Sequence, residues 1–266
     1  MHQHTEPALS VALILAIPFI FTAVLYLIGV RIQTRRYRDW PGYRAGAWVL
    51  GLSAAAAGFV GPLADAAHSN FVAHMWSHLL VGMIAPLLLV LAAPVTLALR
   101  TLHVTPARRL SRVLSSWPAR ISTLPIVGAL LSVGGMWLLY RTDLYEMMQQ
   151  STIIHVMVTT HFLLAGYLFT VAIIPVDPAP HQAGYRARLV VLVLALAAHS
   201  TLAKLIYADP PAEVDALQGQ AGAMLMYYAG DVIHVLVISI LCTRWYREAG
   251  RGLRRSQFPS RQTARG

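Results

Sequence analysis

Histidines set within apolar stretches give this chain its chemistry: His74, His78, His155, His161, His199 and His234 all fall in hydrophobic runs. An imidazole inside lipid is costly unless it meets a ligand, a partner or water. His74 and His78, four apart, lie on one helix face and can both reach one ion. His155 and His161 are six apart, so their side chains point about 120° from each other and do not pair. Met157 and His161 do share a face, which favours His161 as the inward residue and leaves His155 as a rim ligand or a structural group. The last run carries Met224, Tyr227, Asp231 and His234 at offsets of three, four and three, one face of a helix. Asp231 is the only acid in any of these runs. A carboxylate three residues before an imidazole is a ligand pair, an orienting partner, or a proton-sharing pair that packs helices.

The elements that must position these groups are membrane spans. The 266 residues are 57% hydrophobic and 12% charged, with a mean hydropathy of +0.58; a soluble domain carries about twice that share of charge. Apolar runs near 9–30, 44–63, 71–98, 124–140, 151–175, 187–207 and 220–243 predict an all-α integral membrane protein with seven transmembrane helices. All 21 Lys and Arg residues except Arg141 and Lys204 fall on one alternating set of connections. The opposite set holds Glu6, Asp65, Asp143, Glu146, Asp209, Glu213 and Asp215. The positive-inside rule then places the N-terminus outside and the C-terminus in the cytoplasm, in the inner (plasma) membrane. The net charge of +10 is therefore read as orientation and contact with anionic headgroups, not as nucleic-acid binding.

One membrane domain over 1–248 is expected, followed by a basic, disordered tail over 249–266. The first run lacks a basic leading segment and reads as an uncleaved anchor. The basic connection 99–123 is expected to lie at the interface as an amphipathic helix. The lone Cys242 excludes a disulfide within the chain and a paired-cysteine metal motif.

Counted from the outer ends at about 1.5 Å per residue, His78, His161, His199 and Asp231 all lie about 10–16 Å deep. Polar groups from four helices at one level imply a built site. Imidazole suits Cu(II) and thioether suits Cu(I), so His with Met favours copper. The tip Met1-His2-Gln3-His4 and Met147-Met148 extend the same chemistry outward. The alternative is a haem-binding membrane cytochrome or haem-handling enzyme, with histidines of different helices as axial ligands. A transporter would need polar groups in the inner half, where almost none lie beyond His234, and a pure scaffold would use the histidines only to hold helices together. Protons compete with metal for imidazole. Retained copper is thus expected to fall below about pH 6, and unchanged metal content between about pH 7.5 and 5.5 would contradict a histidine site.

Three blocks resemble the multispan CtaG-like family of cytochrome c oxidase assembly factors. They are His74-Met75-Trp76-Ser77-His78-Leu79-Leu80 with Ala85-Pro86-Leu87-Leu88-Leu89 and Ala93-Pro94-Val95-Thr96-Leu97; His155 through His161 to Gly166; and Gly222-Ala223-Met224-Leu225-Met226 with Arg244-Trp245-Tyr246-Arg247-Glu248. The resemblance implies a non-enzymatic assembly factor with seven helices that handles copper for the CuB centre of a haem-copper oxidase. Its partners would be the CuB-bearing oxidase subunit or a periplasmic copper donor. By position, His74, His78, His155 and His161 match the family's polar positions. The metal set expected from these readings together is His74, His78, His155, Met157, His161, His199, Met224, Asp231 and His234.

Overall fold

The computed structural model describes residues 5–37, 39–178 and 182–257, with side chains from residue 12 to residue 250. The His2 and His4 tip lies outside the described residues. Every regular element is a helix: α1 (Thr5–Arg36), α2 (Gly42–Ala56), α3 (Pro62–Ala67), α4 (Phe71–Leu79), α5 (Ala85–Leu91), α6 (Pro94–Thr101), α7 (Val104–Leu114), α8 (Trp117–Ser122), α9 (Pro125–Ala129), α10 (Gly135–Arg141), α11 (Leu144–Gln150), α12 (Thr152–Ile173), α13 (Tyr185–Ala208) and α14 (Ala216–Gln257). Two π-helical stretches, Leu80–Ile84 and Leu130–Gly134, join α4 to α5 and α9 to α10.

Among the described residues, five helical stretches are long and apolar enough to cross a membrane: Ala12–Arg36, Phe71–Thr101, Thr152–Ile173, Tyr185–Ala208 and Ala216–Gly250. The chain is a multi-pass membrane protein. The two other expected spans are shorter. Pro125–Arg141 is continuous but brief. The expected run 44–63 breaks after Ala56, because Gly61 takes φ 91° and Pro62 opens a new helix. At 15 residues, α2 rises only about 22 Å against a hydrocarbon core of about 30 Å. At the other end of the chain, α14 continues as helix to Gln257, past the expected limit of the last span at 243. The basic connection folds as α7 and α8, neither of which buries a residue.

The composite α4, π stretch and α5 is the centre of the bundle, packed on α2, α3, α12 and α14, while α13 pairs with α14. Asn70 starts α4 by accepting the Ala73 N–H at 3.0 Å, an N-cap that satisfies an orphan donor. At its far end the chain turns at Ala93 (φ 54°) before Pro94. Three residues distant in sequence brace that turn. The Tyr26 hydroxyl donates to the Ala92 carbonyl at 2.8 Å and accepts from Trp40 Nε1 at 3.0 Å. Asp177 accepts from Val95 N at 3.1 Å, Thr96 N at 2.7 Å and Thr96 Oγ1 at 2.6 Å. Asp177 therefore caps α6 from 82 residues away. Its replacement by Ala is expected to cost about 1–2 kcal/mol, measured as a lower thermal midpoint of the detergent-purified protein.

A buried histidine chamber

The six span histidines do not behave alike. Those at 74, 78, 155, 199 and 234 are buried, whereas His161 is exposed and its Nε2–H donates to the Leu131 carbonyl at 3.0 Å. The rotation expected for α12 is thus reversed: His155 faces the interior and His161 the outer surface. Gly166 decides this. A Cβ there would overlap the Gly82 carbonyl oxygen and stand 2.9 Å from Pro86 Cγ, so the glycine lets this face of α12 lie directly against the π stretch after α4. Met157 shares the outward face with His161 and is 65% exposed.

His78, His199 and His234 come together. The His78 and His199 rings lie 6.4 Å apart, 19° from parallel. The His199 and His234 rings lie 5.0 Å apart and nearly perpendicular, at 87°. Both ring nitrogens of His78, both of His199 and Nδ1 of His234 are buried without a hydrogen-bond partner. All three residues line one cavity of about 40 Å³, together with Met83, Met136, Ser132 and Thr170. Leaving a buried polar atom unpaired costs about 1–3 kcal/mol, so three imidazoles that line one void and hold five such nitrogens call for a partner.

The remaining expected ligands stand elsewhere. His74 Nε2 is engaged by the Tyr140 hydroxyl at 2.9 Å, and that hydroxyl also reaches Met75 Sδ at 3.8 Å. His74 and His155 line a smaller cavity of about 20 Å³ on the other side of His78. Asp231, one turn before His234, is half-buried, and its Oδ1 accepts from Ser200 Oγ at 3.5 Å. It does not line the chamber. Met224 is 48% exposed and belongs to a separate groove with Lys204, Tyr207 and Tyr227.

The ring separations in the chamber can be set against those of imidazoles that share an ion. With nitrogen about 2.0 Å from the ion, two imidazole centroids stand about 5 Å apart at a tetrahedral angle and about 6 Å apart when opposed. As the side chains stand, no three His, Cys, Asp or Glu among the described residues surround a single point. The imidazoles converge in pairs, and His199 belongs to both. As the side chains stand, about 40 Å³ is room for a small ion with one or two waters and not for a porphyrin.

A sequence profile of cytochrome c oxidase caa3 assembly factors matches residues 24–248, which include every residue lining the chamber. The chain belongs to the caa3 assembly factor family. The chain is similar to an uncharacterized protein of Mycobacterium leprae, 30% identical over 254 residues that cover 85% of this chain and 38% of that protein. It is also similar to uncharacterized proteins of Mycobacterium bovis and Mycobacterium tuberculosis, each 34% identical over 185 residues, covering 67% of this chain and 28% of theirs. It thus spans well under half the length of these relatives. No solved structure matches the assembly factor.

Two residues of the chamber escaped the sequence reading as ligands. Met83 follows His78 by five positions, about 140° away on an α-helix. The π stretch, closed by i→i+5 bonds, brings it round to the same cavity. Met136 reaches the chamber just after the second π stretch, which itself contributes Ser132 and Val133. Both π stretches of the described residues thus border the same void.

Proposed function

We propose that this assembly factor holds a copper ion among His78, His199 and His234, with Met83 and Met136 as thioether neighbours, and yields it during assembly of caa3 cytochrome c oxidase. Its receiving partner would be the oxidase subunit that carries the copper centre, and its source a periplasmic copper donor. The protein would sit in the plasma membrane with seven helical segments crossing, its N-terminus outside and its basic C-terminal end in the cytoplasm. The observation that carries this reading is that three histidines with five unpartnered, buried ring nitrogens among them line one small cavity.

The chemistry of the donors supports copper over harder ions. Imidazole and thioether accept copper in either oxidation state, whereas carboxylate and carbonyl oxygens suit calcium and magnesium. Asp231 lies outside the cavity, so the donors around the chamber are neutral. A bound copper would supply the ion that the oxidase centre needs; the chain's own part is to shelter it, exclude bulk water and release it. Release is favoured by a site built from pairwise imidazole contacts without an anionic ligand. Both π stretches flank the donors, and such segments occur most often at functional sites.

X-ray absorption of the copper-loaded protein tests the donor set. Nitrogen scatterers at about 2.0 Å with sulfur at about 2.3 Å are expected. Met83→Leu combined with Met136→Leu is expected to remove the sulfur shell while the nitrogen shell stays. A wild-type spectrum with oxygen and nitrogen donors only would contradict the chamber as drawn.

A further inference from the structure

Outside the chamber, one other pair of imidazoles is held close. His68 ends α3 and is exposed, and its ring stands 4.4 Å from that of His155, tilted by 36°. His155 is only 7% exposed, and its Nδ1 is buried without a hydrogen-bond partner. The pairing is built. Gln149, at the end of α11, donates to the Ala67 carbonyl at 3.4 Å, which ties the residue before His68 to the segment leading into α12. Ser151 caps α12 by accepting the Ile154 N–H at 3.5 Å, which sets the first turn from which His155 projects.

We propose that His68 and His155 form a second copper site, an outer station at which the ion is captured before it reaches the chamber. Two imidazoles bound side by side on a square-planar ion have centroids about 4.4 Å apart, the separation seen here. His155 also lines the small cavity that His78 closes, and His78 lines the chamber on its other side. The route is therefore His68 at the surface, His155 buried beside it, His78 lining both cavities, then His199 and His234. Asp65, one turn before His68 on α3, adds a negative charge at the mouth and attracts a cation. The existence of the outer site stands on its own geometry; its role as a feeder rests on the chamber reading proposed above.

The test is titration of the detergent-purified full chain with Cu(II), read by metal content, by electron paramagnetic resonance and by the rate at which the copper is taken up. Wild type is expected to hold two coppers per chain. His68→Ala, at an exposed position, is expected to leave one copper and to slow filling of the chamber at least about tenfold. His155→Gln is expected to match it, and His199→Gln is expected to lose the other copper and keep the outer signal. Retention of both coppers at an unchanged rate in His68→Ala overturns the outer station. If wild type holds one copper that His68→Ala removes and His199→Gln does not, the outer station stands and the chamber fails as a copper site. The reverse pattern, one copper lost only in His199→Gln, overturns the outer station and leaves the chamber.

Discussion

A cell whose only copy of this protein carries His199→Gln is expected to assemble caa3 oxidase with its activity lowered at least about tenfold. His199 is shared by both ring pairs of the chamber, so its loss breaks every pairwise contact available to an ion. Glutamine keeps much of the volume and polarity but has no ring nitrogen lone pair to offer an ion. The protein should therefore reach the membrane in normal amounts, measured by immunoblot, while the copper content of the purified oxidase falls with its activity. His161→Gln supplies the contrast. Its ring is exposed and satisfied by the Leu131 carbonyl, so oxidase activity is expected within about twofold of wild type, as is usual for surface substitutions. Equal losses in both variants would mean that the histidines act through the fold rather than through the chamber.

Gly166→Ala is expected to be the most damaging single methyl in the bundle. The new Cβ would overlap the Gly82 carbonyl oxygen, which belongs to backbone and cannot rotate away. Overpacking of this kind costs about 1–3 kcal/mol and more where backbone must move. A fall of about 5–10 °C in the thermal midpoint follows. The displacement is also aimed at function, because Gly82 lies in the π stretch that carries Met83 to the chamber. Weaker copper retention should accompany the lower midpoint. Gly46→Ala, where a Cβ would meet nothing within 4 Å, is the control, expected to be neutral or slightly stabilising by about 0.5–1 kcal/mol.

The helices were legible because an apolar run of span length leaves few other structures in lipid. Their interruptions were partly legible: Gly61-Pro62 and Ala93-Pro94 mark the breaks, but runs of hydropathy alone bridged both. The π stretches left no mark on composition, since they are a shift in hydrogen-bond register within apolar sequence. That shift is what brings Met83, five positions after His78, round to the same cavity. The spacing of His74 and His78 and the depth of His199 pointed to the region where the buried histidines gather. The rotation of α12 was not legible, because His155 and His161 point in different directions and hydropathy is high on every face. What selects His155 is the close approach at Gly166, a contact between segments 84 residues apart. Asp231 drew attention as the lone acid in a span, yet it stands beside Ser200, where a half-buried carboxylate has a hydroxyl donor.

The most direct test is metal analysis by mass spectrometry, with an absorption spectrum, on detergent-purified wild type and on the His78→Gln/His199→Gln double variant after copper loading and removal of free metal. Copper bound in wild type, the chamber's copper absent from the folded double variant, and no Soret band in either are the expected results. Wild type that stays free of copper after loading, or a double variant that retains the same copper as wild type, would contradict the chamber as a copper site.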